Sequence, residues 1–147
     1  MTPAIYYTDG SASPNPGPGG FAVLLDGKPL VLGSEPGGAD TTNIRMEGFA
    51  IIAALRHANG APCEIWTDSE FWINVITKWA AGWERKGWKK QGGEIKNLDI
   101  VRDVYSLYCQ SQARLVWVRG HNNHALNELA DHWANEARKQ HLAKQAA

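Results

Sequence analysis

The chain opens with "AIYYTDGSASPNPGPGGFAVLLDGKPLVLGSE" at residues 4–35, in which three short apolar segments are separated by turn-forming residues. Residues 4–8, 20–25 and 28–35 are rich in β-branched, aromatic and aliphatic side chains, which predicts three strands. The Asp-Gly pair at 26–27 predicts a tight hairpin between the second and third strands. The chain is therefore expected to begin with an antiparallel meander.

After the meander the hydrophobic pattern alternates between the periods of helix and strand. Six further elements are predicted, at about 43–58 (helix), 64–67 (strand), 70–80 (helix), 98–111 (helix), 114–118 (strand) and about 125–141 (helix). The order βββαβααβα predicts an α/β fold with a mixed five-stranded sheet, three antiparallel strands followed by parallel additions, flanked by helices. The single domain is expected to span residues 1–142, with 143–147 as a frayed C-terminal tail.

Length and composition restrict the classes of protein to consider. The 147 residues, of which 44% are hydrophobic, suit one compact domain. Because the chain has neither a leader-like start nor about 18 consecutive apolar residues, we expect a cytoplasmic protein without a membrane partner. The two cysteines are predicted to be reduced thiols in the core. The net charge is zero, but residues 78–96 carry a net charge of +4, so the charge is segregated.

Four acidic residues occupy positions where a carboxylate is costly or well placed for chemistry. Asp9 is predicted to end the first strand and Asp68 the fourth, while Glu47 and Asp131 lie on the first and last helices. Taken singly, Asp9 could form a turn, Asp68 could cap a helix and Asp131 could be solvent-exposed. Glu47 is harder to explain in this way, because it shares a helical stripe with apolar residues that should be buried.

If the strands that carry Asp9 and Asp68 are neighbours, the acidic side chains converge at one edge of the sheet. Two carboxylates about 4 Å apart repel by about 4 kcal/mol at an effective dielectric constant near 20, so a cluster needs raised pKa values or bound cations. Oxygen ligands favour Mg²⁺ or Mn²⁺. Two such ions about 4 Å apart can cleave a phosphodiester, so the pattern predicts a two-metal nuclease site.

Several motifs in a fixed order extend over nearly the whole chain: "YTDGS", "NPGPGGF", "TTNIRMEG", "IWTDSE", "KGWKK", "IKNLD" and "WVRGHNNHALNELAD". Together they resemble bacterial type 1 ribonuclease H, an endonuclease that cuts the RNA strand of RNA/DNA hybrids and leaves 5′-phosphate and 3′-hydroxyl ends. The resemblance implies a ribonuclease H-like fold. It also implies that two Mg²⁺ ions, for which Mn²⁺ could substitute, are held by Asp9, Glu47, Asp68 and Asp131, with Asp9 bridging them.

The resemblance also assigns roles outside the acidic cluster. It places His121 beside the scissile phosphate, where a group that titrates near neutral pH can move a proton or assist product release. Contacts to the hybrid are expected from Gly10, Ser11, Asn15, Thr42, Asn43, Glu70, Trp79, Trp83, Lys86, Trp88 and Asn97. Among these, Thr42 and Asn97 match a pocket for a DNA phosphate, and Asn15 and Asn43 match contacts in the minor groove.

Two positions depart from the family pattern. Ile44 replaces a polar amide, and Glu70 replaces the usual glutamine two residues after Asp68. Ile44 removes a hydrogen bond and Glu70 adds a negative charge, so the affinity for the hybrid or the choice of metal is expected to differ from that of relatives.

Two other functions fit parts of the same pattern. A DNA-cutting nuclease or strand-transferase of the same fold would use a similar acidic cluster, and a non-catalytic hybrid-binding module would use only the binding surface. The complete set of four acidic residues argues against the binding module. The protein is expected to act as a monomer, with a single-strand DNA-binding protein as a possible partner.

Overall fold

The structure is a computed structural model that describes residues 3–90, 92–118 and 125–146, and it arranges them as one sheet with helices on both faces. The strands are β1 (Ala4–Ala12), β2 (Gly19–Leu25), β3 (Lys28–Gly33), β4 (Cys63–Thr67) and β5 (Ala113–Trp117). The helices are α1 (Asn43–Ala58), α2 (Glu70–Asn74), α3 (Ala80–Arg85), α4 (Leu98–Cys109) and α5 (Ala125–Ala146). A 3₁₀ turn spans Pro36–Gly38, and a π-helical turn, Val75–Trp79, joins α2 to α3.

The sheet has the strand order β3-β2-β1-β4-β5. β1, β2 and β3 are antiparallel, whereas β4 pairs in parallel with β1, and β5 pairs in parallel with β4. The predicted fold of three antiparallel strands with parallel additions is thus confirmed. The predicted hairpin is confirmed too, because Asp26 and Gly27 both have the positive φ angles, 55° and 74°, that a type I′ turn requires.

Successive side chains of β1 enter two separate cores, as the alternation of a strand requires. Tyr6 belongs to the larger core, which α1 and α4 cover. Tyr7 belongs to a smaller core with Leu24 and Ala130, which α5 covers on the opposite face. The sheet is therefore held rigidly from both sides, and its edge can carry groups whose positions must be fixed.

The prediction that Asp9 ends β1 is wrong, because β1 stays paired with β2 as far as Ala12, opposite Gly19. The convergence predicted from it is nevertheless right for another reason. The parallel ladder between β1 and β4 ends at the pair Tyr7 and Trp66. Asp9 and Asp68 each lie two residues beyond that last pair, so they are next to each other just past the end of the parallel ladder.

Three other predictions also need correction. The helix predicted at 70–80 is interrupted by the π-helical turn and continues to Arg85. α5 runs to Ala146, past the predicted end near 141, whereas the domain limit at 142 and the frayed tail stay predictions. Cys63 is a buried thiol as predicted, but Cys109 is exposed at the end of α4. Within the described residues, no helix combines the length and the hydropathy that crossing a membrane requires.

Candidate active site

Three of the predicted acidic residues meet where β1, α1 and the end of β4 come together. Asp9, Glu47 and Asp68 each offer a carboxylate oxygen, and these oxygens lie within 4.8 Å of one another. Asp9 is only 4% exposed. Asp131, on α5, lies outside that group of three, but its carboxyl group is hydrogen-bonded to the carboxyl group of Asp9. The structure therefore brings together all four acidic residues that the sequence singled out.

Gly10 explains how β1 and α1 come close enough for this cluster to form. Gly10 is buried, and a Cβ atom built on it would overlap the backbone of Met46 and the backbone nitrogen of Glu47. A side chain at this position would force the strand and the helix apart. Gly10 thus acts through the close approach of two backbones, and this approach places Asp9 beside Glu47.

The electrostatics of the cluster are those of crowded carboxyl groups. The pKa of Asp9 is raised to about 9, first by burial, then by the charge of Asp68 and by the hydrogen bond and charge of Asp131, against a lowering effect of the Gly10 backbone N–H. The pKa of Glu47 is raised to about 8, first by burial and then by the charge of Asp68, while a hydrogen bond to Ser69 lowers it.

This donor set fits hard divalent cations. Among the described residues, the side chains that raise the pKa of Asp9 and Glu47 are the carboxyl groups of Asp68 and Asp131, so bound cations or protons would relieve the repulsion within the cluster. Clustered carboxylate oxygens are the ligands that Mg²⁺ and Mn²⁺ prefer.

Ser69 supports the cluster in a way that the sequence did not reveal. Its side chain caps α2 by accepting a hydrogen bond from the backbone N–H of Trp72 at 3.2 Å, as expected for a serine just before a helix. The same side chain is also hydrogen-bonded to Glu47. The pairing joins α2 to α1, and no local signal in the sequence indicates it.

The raised pKa values predict how the stability of the metal-free protein depends on pH. Between about pH 4, where carboxyl groups of the unfolded chain ionise, and the raised pKa values of about 8 and 9 for Glu47 and Asp9, the folded state binds more protons than the unfolded state. The free energy of unfolding should therefore fall as pH rises through this window and should level off below it.

Urea denaturation at several pH values, in EDTA and in excess Mg²⁺, checks this expectation. Bound cations should remove most of the decline, so the stabilisation by Mg²⁺ should grow as pH rises. A metal-free stability that increases with pH over the same window would contradict the crowded-carboxylate description.

Several of the predicted substrate contacts line one cleft beside α1. Of the predicted contacts, Asn15, Thr42 and Asn97 surround a cavity of about 520 Å³ together with Pro16, Ile44 and Lys96. Thr42 caps α1 by accepting from the N–H of Arg45 at 3.1 Å, and the side-chain oxygen of Asn97 accepts from the same arginine at 3.3 Å. Lys96 was predicted only as part of the basic segment, and the structure places it in this cleft beside Asn97, whose backbone is left-handed (φ 59°).

Other predicted contacts on β1 and α1 are engaged within the protein. The side-chain oxygen of Asn43 accepts from the N–H of Ala12 at 2.6 Å, and the N–H of Asn43 donates to the side chain of Asn15 at 3.2 Å. The hydroxyl of Ser11 donates at 3.2 Å to the side-chain oxygen of Asn135, which lies one helical turn after Asp131 on α5. These bonds order the proline-rich loop and the start of α1, and they leave the amide NH₂ groups of Asn15 and Asn43 for other partners.

The tryptophans of the basic segment fall into two groups. Trp79 is 42% exposed, and its ring lies 6.1 Å from that of Trp83, centroid to centroid. Trp88 instead packs edge-on against Tyr105 at 6.2 Å, next to the larger core. Trp79 is thus the most accessible of the three, whereas Trp83 and Trp88 are both half-buried against the larger core, and Lys86 is exposed after α3.

Glu70 and Ile44, the two departures from the family pattern, are both solvent-accessible. Glu70 is exposed in the first turn of α2, and Ile44 is 37% exposed at the start of α1. His121 lies outside the described residues.

Comparisons with known proteins agree with this geometry. The model of the family described as RNase H matches residues 1–139. The chain is 39% identical to a protein named ribonuclease H from Methylorubrum extorquens, over 95% of this chain and 61% of that protein. It is 42% identical to ribonuclease HI from Caulobacter vibrioides, over 95% of this chain and 96% of that protein. The crystal structure of LC9-RNase H1, a type 1 RNase H, matches with a TM-score of 0.76 at 27% identity, covering 96% of this chain and 75% of that one.

Proposed function

The chain belongs to the ribonuclease H family, whose members hydrolyse the RNA strand of RNA/DNA hybrids. We propose that the four clustered acidic residues of this chain hold two divalent metal ions for this reaction. The observation that carries the proposal is the meeting of Asp9, Glu47 and Asp68, with oxygens within 4.8 Å and with two raised pKa values. Such a set is electrostatically unfavourable in the folded protein unless cations or protons compensate it.

Asp9 has a central place in the proposed mechanism. Asp9 has a carboxylate oxygen within 4.8 Å of those of Glu47 and Asp68 and is hydrogen-bonded to Asp131, and it is therefore proposed as the residue shared by two ions. The ions, when bound, would lower the pKa of the attacking water and stabilise charge on the leaving oxygen, which gives 5′-phosphate and 3′-hydroxyl ends. The rigid attachment of these residues to the sheet and helices holds the reacting groups in line. His121 is proposed to assist proton transfer.

Substrate binding is assigned to the surfaces on either side of the cluster. The cleft with Thr42, Asn97 and Lys96 offers hydroxyl, amide and ammonium groups for a phosphate of the DNA strand. The exposed Trp79, with the half-buried Trp83 beside it, offers an aromatic surface in the basic segment at 78–96, where sugars or bases of the hybrid can pack. These contacts recognise the shape of the hybrid and the RNA 2′-hydroxyl, so little sequence preference is expected.

The proposal includes the conditions under which the enzyme works. Mg²⁺ is the proposed physiological ion, with Mn²⁺ as a substitute, because both prefer oxygen ligands. The proposed active form is a monomer in the cytoplasm, with a single-strand DNA-binding protein as a partner.

The test is cleavage of four end-labelled substrates, namely RNA/DNA, RNA/RNA and DNA/DNA duplexes and single-stranded RNA. Each is incubated with Mg²⁺, Mn²⁺ or EDTA, and end analysis identifies the products. Only the RNA of the hybrid should be cut, and only with a divalent ion, because the acidic cluster needs the ions.

Two outcomes would contradict the proposal. Cleavage of the all-DNA duplex at a comparable rate would favour a DNA-cutting nuclease or strand-transferase of the same fold. Tight binding of the hybrid with no product under any metal condition would favour a binding module, and would direct attention to Ile44 and Glu70.

A further inference from the structure

Trp72 connects the two helices that stand behind the acidic cluster. It is fully buried on α2, the helix that begins just after Asp68. Its indole N–H donates a hydrogen bond to the backbone carbonyl of Ile44, in the first turn of α1, at 2.7 Å. Its own backbone N–H donates to Ser69 at 3.2 Å. One residue is thus bonded both to the segment that follows Asp68 and to the helix that carries Glu47.

The carbonyl that Trp72 contacts is well placed to control Glu47. In a regular α-helix the carbonyl of Ile44 already accepts the N–H of Gly48, so the indole supplies a second bond to the same oxygen. Glu47 lies three residues after Ile44, which is less than one helical turn. A bond anchored at Ile44 therefore limits how far the turn that carries Glu47 can move relative to α2.

Gly48 makes this arrangement possible. A Cβ atom built on Gly48 would lie 2.6 Å from Cζ2 of Trp72 and 2.7 Å from Cγ2 of Ile100. Both distances are shorter than carbon atoms tolerate, so any side chain at position 48 would push the indole away from α1. The large ring at 72 and the missing side chain at 48 are thus a matched pair.

We infer that Trp72 is a positioning residue, which sets the separation of the Glu47 and Asp68 carboxylates and thereby the affinity of the site they share for divalent ions. The indole acts through its hydrogen bond to the backbone of α1, while the backbone N–H of Trp72 holds Ser69, which is hydrogen-bonded to Glu47. The inference rests on the proposed metal-binding role of the cluster. Its consequence is that metal affinity depends on a bond inside the core.

The test is the variant Trp72→Phe, which removes the indole N–H and keeps an aromatic ring. Mn²⁺ binding to the full chain, measured by calorimetry without nucleic acid, should weaken by about tenfold, the size found when outer partners of metal ligands are removed. In cleavage assays kcat at limiting Mg²⁺ should fall, excess Mg²⁺ should restore it, and KM for the hybrid should not change.

A merely structural role for Trp72 is excluded by a control in the same core. Val104 is fully buried on α4, in the same hydrophobic cluster as Trp72. Its aliphatic side chain cannot form hydrogen bonds, so it cannot anchor α1 or α2 as the indole N–H does. Val104→Ala should lower Tm by creating a cavity but should leave Mn²⁺ affinity unchanged. If Val104→Ala weakens Mn²⁺ binding as much as Trp72→Phe does, the inference is wrong.

Two further variants keep the result interpretable. Gly48→Ala retains the indole N–H but displaces the ring, so it should weaken Mn²⁺ binding in the same direction even if Trp72→Phe fails to fold. Asp68→Asn tests the metal site itself. Loss of Mn²⁺ binding in Asp68→Asn with parental binding in Trp72→Phe and Gly48→Ala would overturn the positioning role alone. Parental binding in Asp68→Asn would overturn the proposed metal site.

Discussion

Asp9→Asn should reduce the rate of hybrid cleavage by about 10²-fold or more, the scale seen when one preorganised electrostatic group is removed from an active site. Asp9 has a carboxylate oxygen within 4.8 Å of those of Glu47 and Asp68, and it is also hydrogen-bonded to Asp131. Asparagine fills nearly the same volume but offers a neutral ligand, so the ions lose the charge that both would share. The measurement is the initial rate of hybrid cleavage across a range of Mg²⁺ concentrations.

The same substitution should stabilise the metal-free protein. Burial and neighbouring carboxyl groups raise the pKa of Asp9 to about 9, so its charged form is unfavourable in the fold, and the neutral amide removes that cost. Each kcal/mol so gained should raise Tm by about 2–4 °C for a chain of this size, and the gain should shrink toward about pH 4.

Asp26→Asn is the matched control for this experiment. Asp26 carries the same functional group but is exposed in the β2–β3 hairpin, where asparagine suits the left-handed backbone (φ 55°) equally well. It should leave both the rate of hybrid cleavage and the stability in EDTA essentially unchanged, as expected for an exposed substitution. An Asp9→Asn enzyme that cuts at the parental rate, or one that is less stable than the parent in EDTA, would show that Asp9 is not the centre of a crowded metal site.

The parts of the site that the sequence predicts are those that depend on local patterns. Asp9, Glu47 and Asp131 belong to a strand or a helix and Asp68 directly follows a strand, and the parallel pairing of β1 with β4 brings Asp9 and Asp68 together. Glu47 could be recognised because a charge within an apolar helical stripe needs a reason. The mixed character of the sheet was likewise predicted, since a meander followed by strand-helix alternation leaves few arrangements.

The remaining features of the site arise from contacts between segments distant in the chain. The extension of β1 to Ala12 depends on its pairing with β2 and not on its own composition. The π-helical turn at Val75–Trp79 has no sequence signal in an otherwise helical segment. The bond from Trp72 to Ile44 joins residues 28 positions apart, and it could be seen only once α1 and α2 were packed together.

Gly10→Ala should cost both stability and activity, because the added methyl group has no space between β1 and α1. Its Cβ would overlap backbone atoms of Met46 and Glu47, which cannot rotate away as a flexible side chain can. Overpacking of this kind costs about 1–3 kcal/mol or more in the free energy of unfolding. It also separates Asp9 from Glu47, and a displacement of about 1 Å in an active site can reduce the rate by about 10²-fold.

Gly82→Ala provides the contrast that isolates this effect. Gly82 lies on α3, where the nearest atom to an added Cβ is Nη2 of Arg85 at 3.7 Å, an ordinary contact. Alanine there should raise the free energy of unfolding by up to about 1 kcal/mol through helix propensity and should leave the cleavage rate unchanged. Urea denaturation and Mg²⁺-saturated cleavage rates of the three proteins distinguish the possibilities. If Gly10→Ala loses stability but cleaves hybrid at the parental rate, the contact of β1 with α1 supports the fold without setting the distance between Asp9 and Glu47, and the geometric basis of the proposed site would have to be abandoned.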